Sequence, residues 1–482
     1  MNNLNCDHLL AMGRHIPTPF YLSLTKEQEE EEIKIESILR IVPGRRLIGL
    51  SRWRNQSVIV KLFFGPGHWK RNLLADIRGI NLLRQRRIPT PEILHQTTTL
   101  DERGAVLLID YLKQGISLQE LLDNPDEQQM TLPVLKMAID TIARCHRQGL
   151  WQDDIHLDNF MLAGESVYVL DGGAIGAVDG ALQVEQALGN LASFFAQFSV
   201  DKDADIPAML DYYQSLSKSL PDIEIENFPE RVISQRKRRL DNFEKKLYRS
   251  TTANRRIQAV NRFVVYDRQI HSAELDKFIQ NPEAQIQGDS IIKAGNASTV
   301  ARIALGQQNY VLKRYNLKSL WHSFKYLFRQ SRAHRSWRNA SLLEMLGLDT
   351  PHPYLIYEER ACWFLRRRAF FLCEDLNTAN LLEQFEANAD SLPIEQLLAS
   401  FKRLFEAMIT YQISHGDMKA SNFVFKDSRL YILDLDAMKR HSSRKAFNKA
   451  MQKDLNRFMR NWQGSRFEEQ FNSMVSEIRL SV

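Results

Sequence analysis

The sequence predicts an α+β protein made of two similar units in tandem, each strand-rich at first and helical afterwards. The chain has 482 residues, too many for one core at roughly 150 residues per domain. In each half, short β-type runs precede a stretch of helical spacing, and one set of polar residues recurs at a fixed distance. We expect a lead-in over residues 1–35, one unit over 36–270 and a second over 271–482.

Composition restricts the class of protein. The chain is 44% hydrophobic and 25% charged, which is typical of globular proteins and excludes collagen-like and wholly disordered chains. Its four cysteines form no C-x-x-C pair, and the first thirty residues lack the order of a signal peptide. With a modest net charge of +6, these features favour a protein that stays in the reducing cytoplasm.

The first half begins with a charged run at 26–32, interpreted as part of a solvated lead-in, so structure is expected to begin near Glu36. Apolar runs at 46–49 and 57–61 predict strands of an antiparallel sheet. The apolar stripe over 73–83 predicts a helix, which must end before the Thr90-Pro91 segment because proline cannot continue it.

The second half repeats this order. Residues 300–315 predict paired strands, and a basic helical stretch runs to Gly347, ahead of a second Thr-Pro pair at Thr350-Pro351. We place the boundary between the halves within 256–286, where core periodicity is weak and Asn281-Pro282 is a breaker.

A recurring motif carries the predicted chemistry. In the second half, Asp417 stands five residues before Asn422, and a β-type run ends at Asp434. Phosphoryl transfer from ATP needs an aspartate to orient the attacking hydroxyl, an amide and a carboxylate for Mg²⁺, and a strand lysine for the phosphates. Asp417 is therefore the candidate base, Asn422 and Asp434 the candidate metal ligands, and Lys313 the candidate phosphate lysine.

The first half offers the same set. Asp154, Asn159 and Asp171 each lie 263 residues before their counterparts, and Lys61 again ends a β-type run. One D-x₄-N alone is a weak signal, since about one is expected by chance in a chain of this size. Its recurrence with the same spacing to a third carboxylate and with an upstream lysine argues against coincidence.

At these residues the chain resembles the protein kinase superfamily and, within it, the bacterial lipopolysaccharide kinases that phosphorylate inner-core sugars. The resemblance rests on segments in both halves: 43–47, 60–63, 154–160, 337–339, 347–351, 415–417 and 433–436. It implies two tandem protein kinase-like domains, each with a β-rich N-lobe and a helical C-lobe. It also implies ATP and Mg²⁺ as cofactors, Lys419 as a further nucleotide contact, and a sugar hydroxyl, most readily on an inner-core heptose, as acceptor.

The resemblance further implies lipopolysaccharide core or a lipid A precursor as partner, met at the cytoplasmic face of the inner membrane. No A-P-E segment follows Asp434, which disfavours a peptide acceptor. Two competing functions stay open: a pseudokinase or scaffold in one or both halves, and a kinase that acts on protein.

Departures from the kinase pattern separate the halves. Kinases pair the strand lysine with a helix glutamate, and counting from the Thr-Pro pairs places Asp76 and Ser336 at that position. Ser336 cannot form an ion pair, so Lys313 is expected to lack the usual partner. The first half has Gln152 where the second has His415, so we expect the second half to be better equipped for catalysis. Asp158 and Asp436 are interpreted as surface or capping carboxylates outside the site.

Two basic stretches have open interpretations. Residues 313–338 carry eight Lys or Arg, six aromatic residues and no acidic residue. We favour contact with an anionic membrane or a phosphorylated glycolipid, while packing of the aromatic face and binding of nucleic acid are alternatives, the last being unlikely. The second stretch, 231–256, is interpreted as a solvated helix face, with membrane or acceptor contact as the alternative.

Overall fold

The computed structural model describes residues 3–25, 30–124, 128–216, 227–316, 330–361, 365–388 and 392–481. The chain folds as two compact units, Met1–Gln197 with Ala204–Gln235, and Phe198–Asp203 with Arg236–Val482.

The first unit starts with a six-stranded antiparallel sheet in the order β1-β2-β3-β4-β6-β5. Helix α2 packs on one face of this sheet. The elements are α1 (Cys6–Met12), β1 (Phe20–Thr25), β2 (Glu30–Val42), β3 (Arg46–Trp53), β4 (Gln56–Phe64), α2 (Trp69–Gln85), β5 (Ile93–Thr98) and β6 (Gly104–Asp110).

The expected start of structure near Glu36 is corrected. Helix α1, strand β1 and the first part of β2 precede it. Cys6, Leu9, Phe20 and Leu22 are buried in the same core as the sheet, so this segment closes the sheet rather than leading up to it. The charged run at 26–32 lies in part outside the described residues, because 26–29 are not described.

The rest of the first unit is helical with short strand pairs. Its elements are β7 (Ile116–Ser117), α3 (Leu118–Asp123), α4 (Gln128–Arg147), β8 (Leu150–Gln152), β9 (Phe160–Ala163), β10 (Ser166–Val169), β11 (Ile175–Ala177), α5 (Val184–Phe195) and α6 (Ile206–Leu216). Helix α7 (Phe228–Lys246) follows and continues into the second unit.

The second unit has a seven-stranded antiparallel sheet in the order β12-β13-β17-β18-β16-β15-β14. The order β14-β15-β16-β18-β17 repeats the order β2-β3-β4-β6-β5 of the first unit. The elements are β12 (Asn254–Gln258), β13 (Arg262–Asp267), α8 (Ala273–Gln280), β14 (Ile291–Ala294), β15 (Ser298–Leu305), β16 (Gln308–Tyr315), α9 (Arg332–Leu346), β17 (Pro353–Ala361) and β18 (Leu365–Glu374).

A helical part completes this unit. Its elements are α10 (Leu381–Asn388), α11 (Ile394–Tyr411), β19 (Ile413–Ser414), β20 (Phe423–Lys426), β21 (Arg429–Ile432), β22 (Lys439–Arg440), α12 (Arg444–Met459) and α13 (Glu468–Leu480). Both units thus combine a β-rich first part with a helical second part, and the predicted fold class is confirmed.

The two units meet earlier in the chain than the division at residues 270 and 271 that the sequence indicates. The physical reason lies in β13 and α8. Val264, Tyr266, Leu275 and Phe278 are buried in one core with Leu312 of β16. The weak periodicity that suggested a boundary therefore belongs to two added edge strands and a short helix of the second unit.

Helical spacing decides what each helix presents to its sheet. In α2, Leu73, Asp76, Ile80 and Leu83 follow one another at three, four and three residues and are all buried, so the carboxylate of Asp76 shares the apolar face that packs on the sheet. In α9, Arg332, Ser336 and Asn339 share a face in the same way.

Candidate active site

The predicted catalytic residues of the second unit lie on one tight loop between β19 and β20. The side-chain amide of Asn422 donates to the backbone carbonyl of Asp417 at 2.8 Å and to its Oδ2 at 3.3 Å. The ammonium of Lys419 pairs with the same Oδ2 at 2.5 Å. The D-x₄-N spacing therefore folds the loop back on itself and fixes the carboxylate of Asp417 between a cation and an amide.

Two buried residues, Asp454 and His415, fix the backbone of this loop by hydrogen bonds. The carboxylate of Asp454, on α12, accepts the backbone N–H of His415 at 2.7 Å and of Gly416 at 3.0 Å. Burial raises the pKa of Asp454 above its ordinary value. The ring of His415 donates from Nε2 to the carbonyl of Leu433 at 2.9 Å and accepts the N–H of Asp417 on Nδ1 at 3.3 Å. These contacts fit the tautomer that carries its proton on Nε2.

Lys313, on the third strand of the shared order, meets the carboxylates that follow β21. Its ammonium forms an ion pair with Asp434 and lies 3.9 Å from Oδ2 of Asp436. Burial alone would lower the pKa of Lys313, but its negatively charged neighbours raise it above the ordinary value. Burial would raise the pKa of Asp434, yet the charge of Lys313 outweighs this and lowers it. Both groups are therefore charged at neutral pH.

The backbone turns sharply at Asp434, which has a φ of 55° in the left-handed region. Aspartate tolerates this conformation better than most residues. The strand before the turn is anchored by Thr350, whose hydroxyl donates to the carbonyl of Ile432 at 2.8 Å. Thr90 makes the same 2.8 Å contact with Val169 in the first unit. The repeated Thr-Pro pair thus fixes the strand that precedes Asp434 or Asp171, the aspartates predicted as metal ligands.

Helix α9 supplies no acid to Lys313. Ser336 is buried and its hydroxyl lies 2.8 Å from that of Tyr315. The side chain of Asn339 donates to the carbonyls of Leu435 and Met438 at 2.7 and 3.0 Å, which ties the helix to the segment after Asp434. The prediction that Ser336 forms no ion pair agrees with these contacts, and the ion-pair partners of Lys313 follow β21 instead.

The loop of the first unit has the same backbone scheme. The amide of Asn159 donates to the carbonyl of Asp154 at 2.9 Å, as in the second unit. The side chains differ, because the ring of His156 turns to Asp158 at 3.3 Å, whereas Lys419 turns to the aspartate that precedes it. Asp154 is exposed.

The lysine of the first unit pairs with an aspartate at the helix position where kinases have a glutamate. Lys61 pairs with Asp76 of α2 at 2.8 Å, and both side chains are buried. The other oxygen of Asp76 accepts the N–H of Gly173 at 3.0 Å. Asp171 accepts the same N–H at 3.2 Å and lies 3.8 Å from the guanidinium of Arg46. Counting from the Thr-Pro pair thus located the acid correctly.

Gln152 is the weak point of the first unit. It is 4% exposed, and neither Nε2 nor Oε1 has a hydrogen-bond partner within the described residues. It lines a small cavity with His146, Trp151 and Asn190. Its counterpart His415 makes two ring contacts, so the two loops differ in support as well as in charge.

Three residues that matter for the site were missed or set aside. Asp436 was interpreted as a surface or capping carboxylate, but it is 5% exposed and pairs with Arg332 at 2.7 Å. Arg332 was counted only as part of a basic stretch. Asp454 gave no motif signal, although a lone carboxylate among the buried residues Met451, Leu455 and Phe458 of α12 could have indicated it.

The basic stretches are only partly solvated. Residues 317–329 lie outside the described residues, and the packing of their aromatic face stays a prediction. In the stretch 231–256, the interpretation as a solvated face fails at Arg236, which is fully buried and pairs with Asp203 at 2.7 Å and with the hydroxyl of Tyr411 at 2.6 Å. Lys245 and Lys246 are exposed as expected.

The described residues include no group of three or more His, Cys, Asp or Glu placed to hold a metal ion. The ligands that the sequence predicts for Mg²⁺ in the second unit are the carboxylate of Asp434 and the amide oxygen of Asn422, hard oxygen ligands of the type Mg²⁺ prefers. None of the described helices is long and apolar enough to cross a membrane.

Comparison with known proteins gives one family. Residues 280–475 match the model of the Lipopolysaccharide kinase (Kdo/WaaP) family, which confirms the predicted resemblance over this part of the chain. No curated protein matches the chain. The match supports a kinase that acts on lipopolysaccharide.

Two solved structures are similar at a low level. The structure of WaaP in complex with acyl carrier protein has 15% identity and a TM-score of 0.32, over 42% of this chain and 88% of that chain. A rhoptry kinase from Toxoplasma gondii has 9% identity and a TM-score of 0.30, over 48% of this chain and 82% of that chain. At these TM-scores, neither likeness carries an argument about substrate or mechanism.

Proposed function

We propose that the second unit is an ATP-dependent kinase that phosphorylates a sugar hydroxyl of the lipopolysaccharide core, on an inner-core heptose. The family match over 280–475 supports the class of substrate. The observation that carries the catalytic assignment is the charged arrangement around the loop, with Asp417 fixed by Asn422 and Lys419 and with Lys313 drawn onto Asp434.

Each group has a defined task in this proposal. Asp417 orients the acceptor hydroxyl and takes its proton, and its ion pair with Lys419 holds the carboxylate in place. Lys313 moves from Asp434 to the phosphates when nucleotide enters, so its positive charge meets the charge of the transferred group. Lys419 is close enough to the base to contact the same group. Positioning and charge neutralisation supply most of the rate.

Asn422 and Asp434 would hold Mg²⁺, which when bound neutralises the phosphates. Both fit this role by donor type, since each offers an oxygen, and the amide nitrogen of Asn422 is already engaged with the carbonyl of Asp417. The side chain of Asp434 is 37% exposed, so it can be reached by a ligand when Lys313 leaves it.

We propose a glycolipid acceptor, lipopolysaccharide core or a lipid A precursor, met at the cytoplasmic face of the inner membrane. The absence of an A-P-E segment supports an acceptor that is not a peptide. The basic residues of 313–338 and the exposed Lys245 and Lys246 support contact with an anionic surface or acceptor phosphates.

For the first unit, we propose a non-catalytic role as a pseudokinase or scaffold. Specific observations favour it over a second working site with Asp154 as base, Asn159 and Asp171 as metal ligands and Lys61 as phosphate lysine. The ring of His156 lies beside Asp158 rather than Asp154, and within the described residues the amide of Gln152 makes none of the contacts that hold His415. Gly172 also lies directly against α2, since a Cβ on Gly79 would come 1.8 Å from its carbonyl oxygen.

The test is phosphate transfer from labelled ATP with Mg²⁺ by the full chain. Three acceptors are compared: lipopolysaccharide with a complete inner core, lipopolysaccharide truncated before the heptoses, and a mixed peptide substrate. We expect label only with the complete inner core. Label with the truncated acceptor would move the site to another sugar, and label in peptide alone would refute the proposal.

A further inference from the structure

The strand lysine is held by a carboxylate in both units, but this carboxylate comes from opposite sides of the site. In the first unit it belongs to Asp76 on the helix, and the residue two after Asp171 is Gly173. In the second unit the helix position is Ser336, and the residue two after Asp434 is Asp436.

The segments stay linked in each case, with the polarity reversed. In the first unit, Asp76 accepts the N–H of Gly173 at 3.0 Å. In the second, Arg332 on the helix donates from Nε to Oδ2 of Asp436 at 2.8 Å, and its Nη2 lies 2.7 Å from the same oxygen. In the first unit, an acidic side chain on the helix accepts a hydrogen bond from a backbone N–H. In the second unit, a cationic side chain on the helix donates to an acidic side chain instead.

Arg332 also reaches two other parts of the site. Its guanidinium carbon lies 5.0 Å from the ring centroid of Tyr315, and Nη1 donates to the carbonyl of Ala297 at 3.4 Å. Ala297 belongs to the turn between β14 and β15, where kinases place the glycine-rich loop over the phosphates. Arg332 therefore contacts the loop, the lysine strand and the acid at once.

We infer that Asp436 and Arg332 together form the positioning pair that holds Lys313 in place for the nucleotide, in the role that the helix acid has in the first unit. When Asp434 is taken up by metal, Asp436 remains beside Lys313 as its acidic partner, and Arg332 holds Asp436 in place. This inference rests on the proposed nucleotide site of the second unit, and neither residue is assigned a bond to the reacting atoms.

The experiment measures the affinity of the full chain for MgATP by equilibrium titration, without acceptor. Asp436→Asn and Arg332→Gln should each raise the Kd about tenfold, which corresponds to about 1.4 kcal/mol. The double variant should be no weaker than about twice either single variant, since both changes break one unit. Arg332→Lys keeps the charge and should recover part of the loss.

The matched control is Arg368→Gln, because Arg368, on β18, is also a paired arginine of this unit, bound to Glu359 of β17 at 2.9 Å and to Glu283 at 3.1 Å. It should leave the Kd unchanged. With an acceptor present, the variants should raise the KM for ATP while the KM for the acceptor stays the same, a split that general loss of structure would not produce.

Three results would overturn the inference: normal MgATP affinity in either single variant, additive losses in the double variant, or a raised Mg²⁺ requirement in Asp436→Asn alone, which would make Asp436 a metal ligand. Its failure is separable from failure of the proposed function. An intact chain that binds MgATP but does not label lipopolysaccharide refutes only the acceptor, whereas an intact chain that binds no MgATP refutes both.

Discussion

Lys61 and Lys313 occupy the same place in two sheets of the same strand order, yet they are neutralised from different directions. Lys61 is locked to a buried helix acid, and its side chain is 6% exposed. Lys313 is paired with Asp434, whose side chain is 37% exposed and which the proposed mechanism assigns to the metal. The first lysine can leave its partner only by stranding a buried charge, whereas the second can exchange an accessible carboxylate for phosphate.

The loops differ in the same sense. Lys419 brings a positive charge onto Asp417 at 2.5 Å, while His156 lies beside Asp158 at 3.3 Å. A shared backbone scheme thus supports two electrostatic outcomes. The hydrogen bonds of the D-x₄-N loop thus keep the same backbone conformation in both units. The charged side chains around the loop differ, and the proposed difference in phosphate transfer depends on them.

The largest effect is expected at the two candidate bases. Asp417→Asn should lower phosphate transfer by about 10²–10⁴-fold, the range for loss of a positioned base, because an amide cannot take the proton. Asp154→Asn should change the rate less than twofold. Initial rates with labelled ATP on the full chain measure both. Equal losses in the two variants would show two working sites and end the distinction between the units.

Replacing each strand lysine by methionine should have opposite effects in the two units on phosphate transfer and on stability. Lys313→Met should abolish transfer with little change in stability, because Asp434 is accessible to water. Lys61→Met should leave Asp76 buried without its cation, at about 3–5 kcal/mol of unfolding free energy, with transfer largely retained. Urea unfolding and initial rates measure the two.

The control for this exchange is Lys61→Met combined with Asp76→Asn, which removes the stranded charge and should recover part of the stability. The comparison would break if Lys61→Met abolished transfer in a chain that unfolds normally, since Lys61 would then serve a nucleotide.

Replacing Gln152 or its counterpart His415 by methionine should change the free energy of unfolding in opposite directions. Gln152→Met removes two buried polar atoms that have no hydrogen-bond partner within the described residues, and it should raise the unfolding free energy by about 1 kcal/mol. His415→Met removes the contacts to Leu433 and Asp417 and should lower it by about 2 kcal/mol. Thermal unfolding of both variants measures this, and a destabilising Gln152→Met would mean that the amide has a partner in solution.

Much of this site was predictable from the sequence, for a physical reason. Asp417, Asn422 and Asp434 follow one another at a short, recurring spacing, which is visible in the sequence. The burial of Asp436 was not predictable, because a single carboxylate after a strand is more often solvated than buried. Its significance depends on Arg332, which lies over a hundred residues away, so only the folded chain brings the two together.

The buried strands and the α2 stripe were predicted because their apolar periodicity is strong. The N-terminal segment was misjudged since its charged run concealed the neighbouring strands, whose alternate side chains Phe20, Leu22 and Leu24 complete the core. Sequence pattern thus located the shared frame of the two units, while the charge pairs that distinguish them required three-dimensional contacts.

The smallest expected effect is a pH dependence at the end of helix α9 in the second unit. In the second, His352 lies 2.6 Å from Glu344 and 3.4 Å from Asp267. Burial would lower the pKa of His352, but these two carboxylates raise it to about 9. In the first unit, the corresponding ion pair is Arg84 with Glu92 at 2.7 Å, a pair without a histidine.

His352→Gln should therefore lower the Tm more at pH 6 than at pH 10. A histidine whose folded pKa lies above its unfolded value of about 6.5 contributes stability that is complete below about pH 6.5 and is lost as pH rises through the folded pKa. The effect should stay within about 1 kcal/mol, because the ring is 35% exposed and solvent screens the pair. Glu92→Gln is the control, and its effect on the Tm should not vary between pH 6 and 10. If His352→Gln lowers the Tm equally at both pH values, the ring is neutral in the folded chain. The reversal of charge between the helices of the two units would then be confined to Asp76 and Arg332 at the site itself.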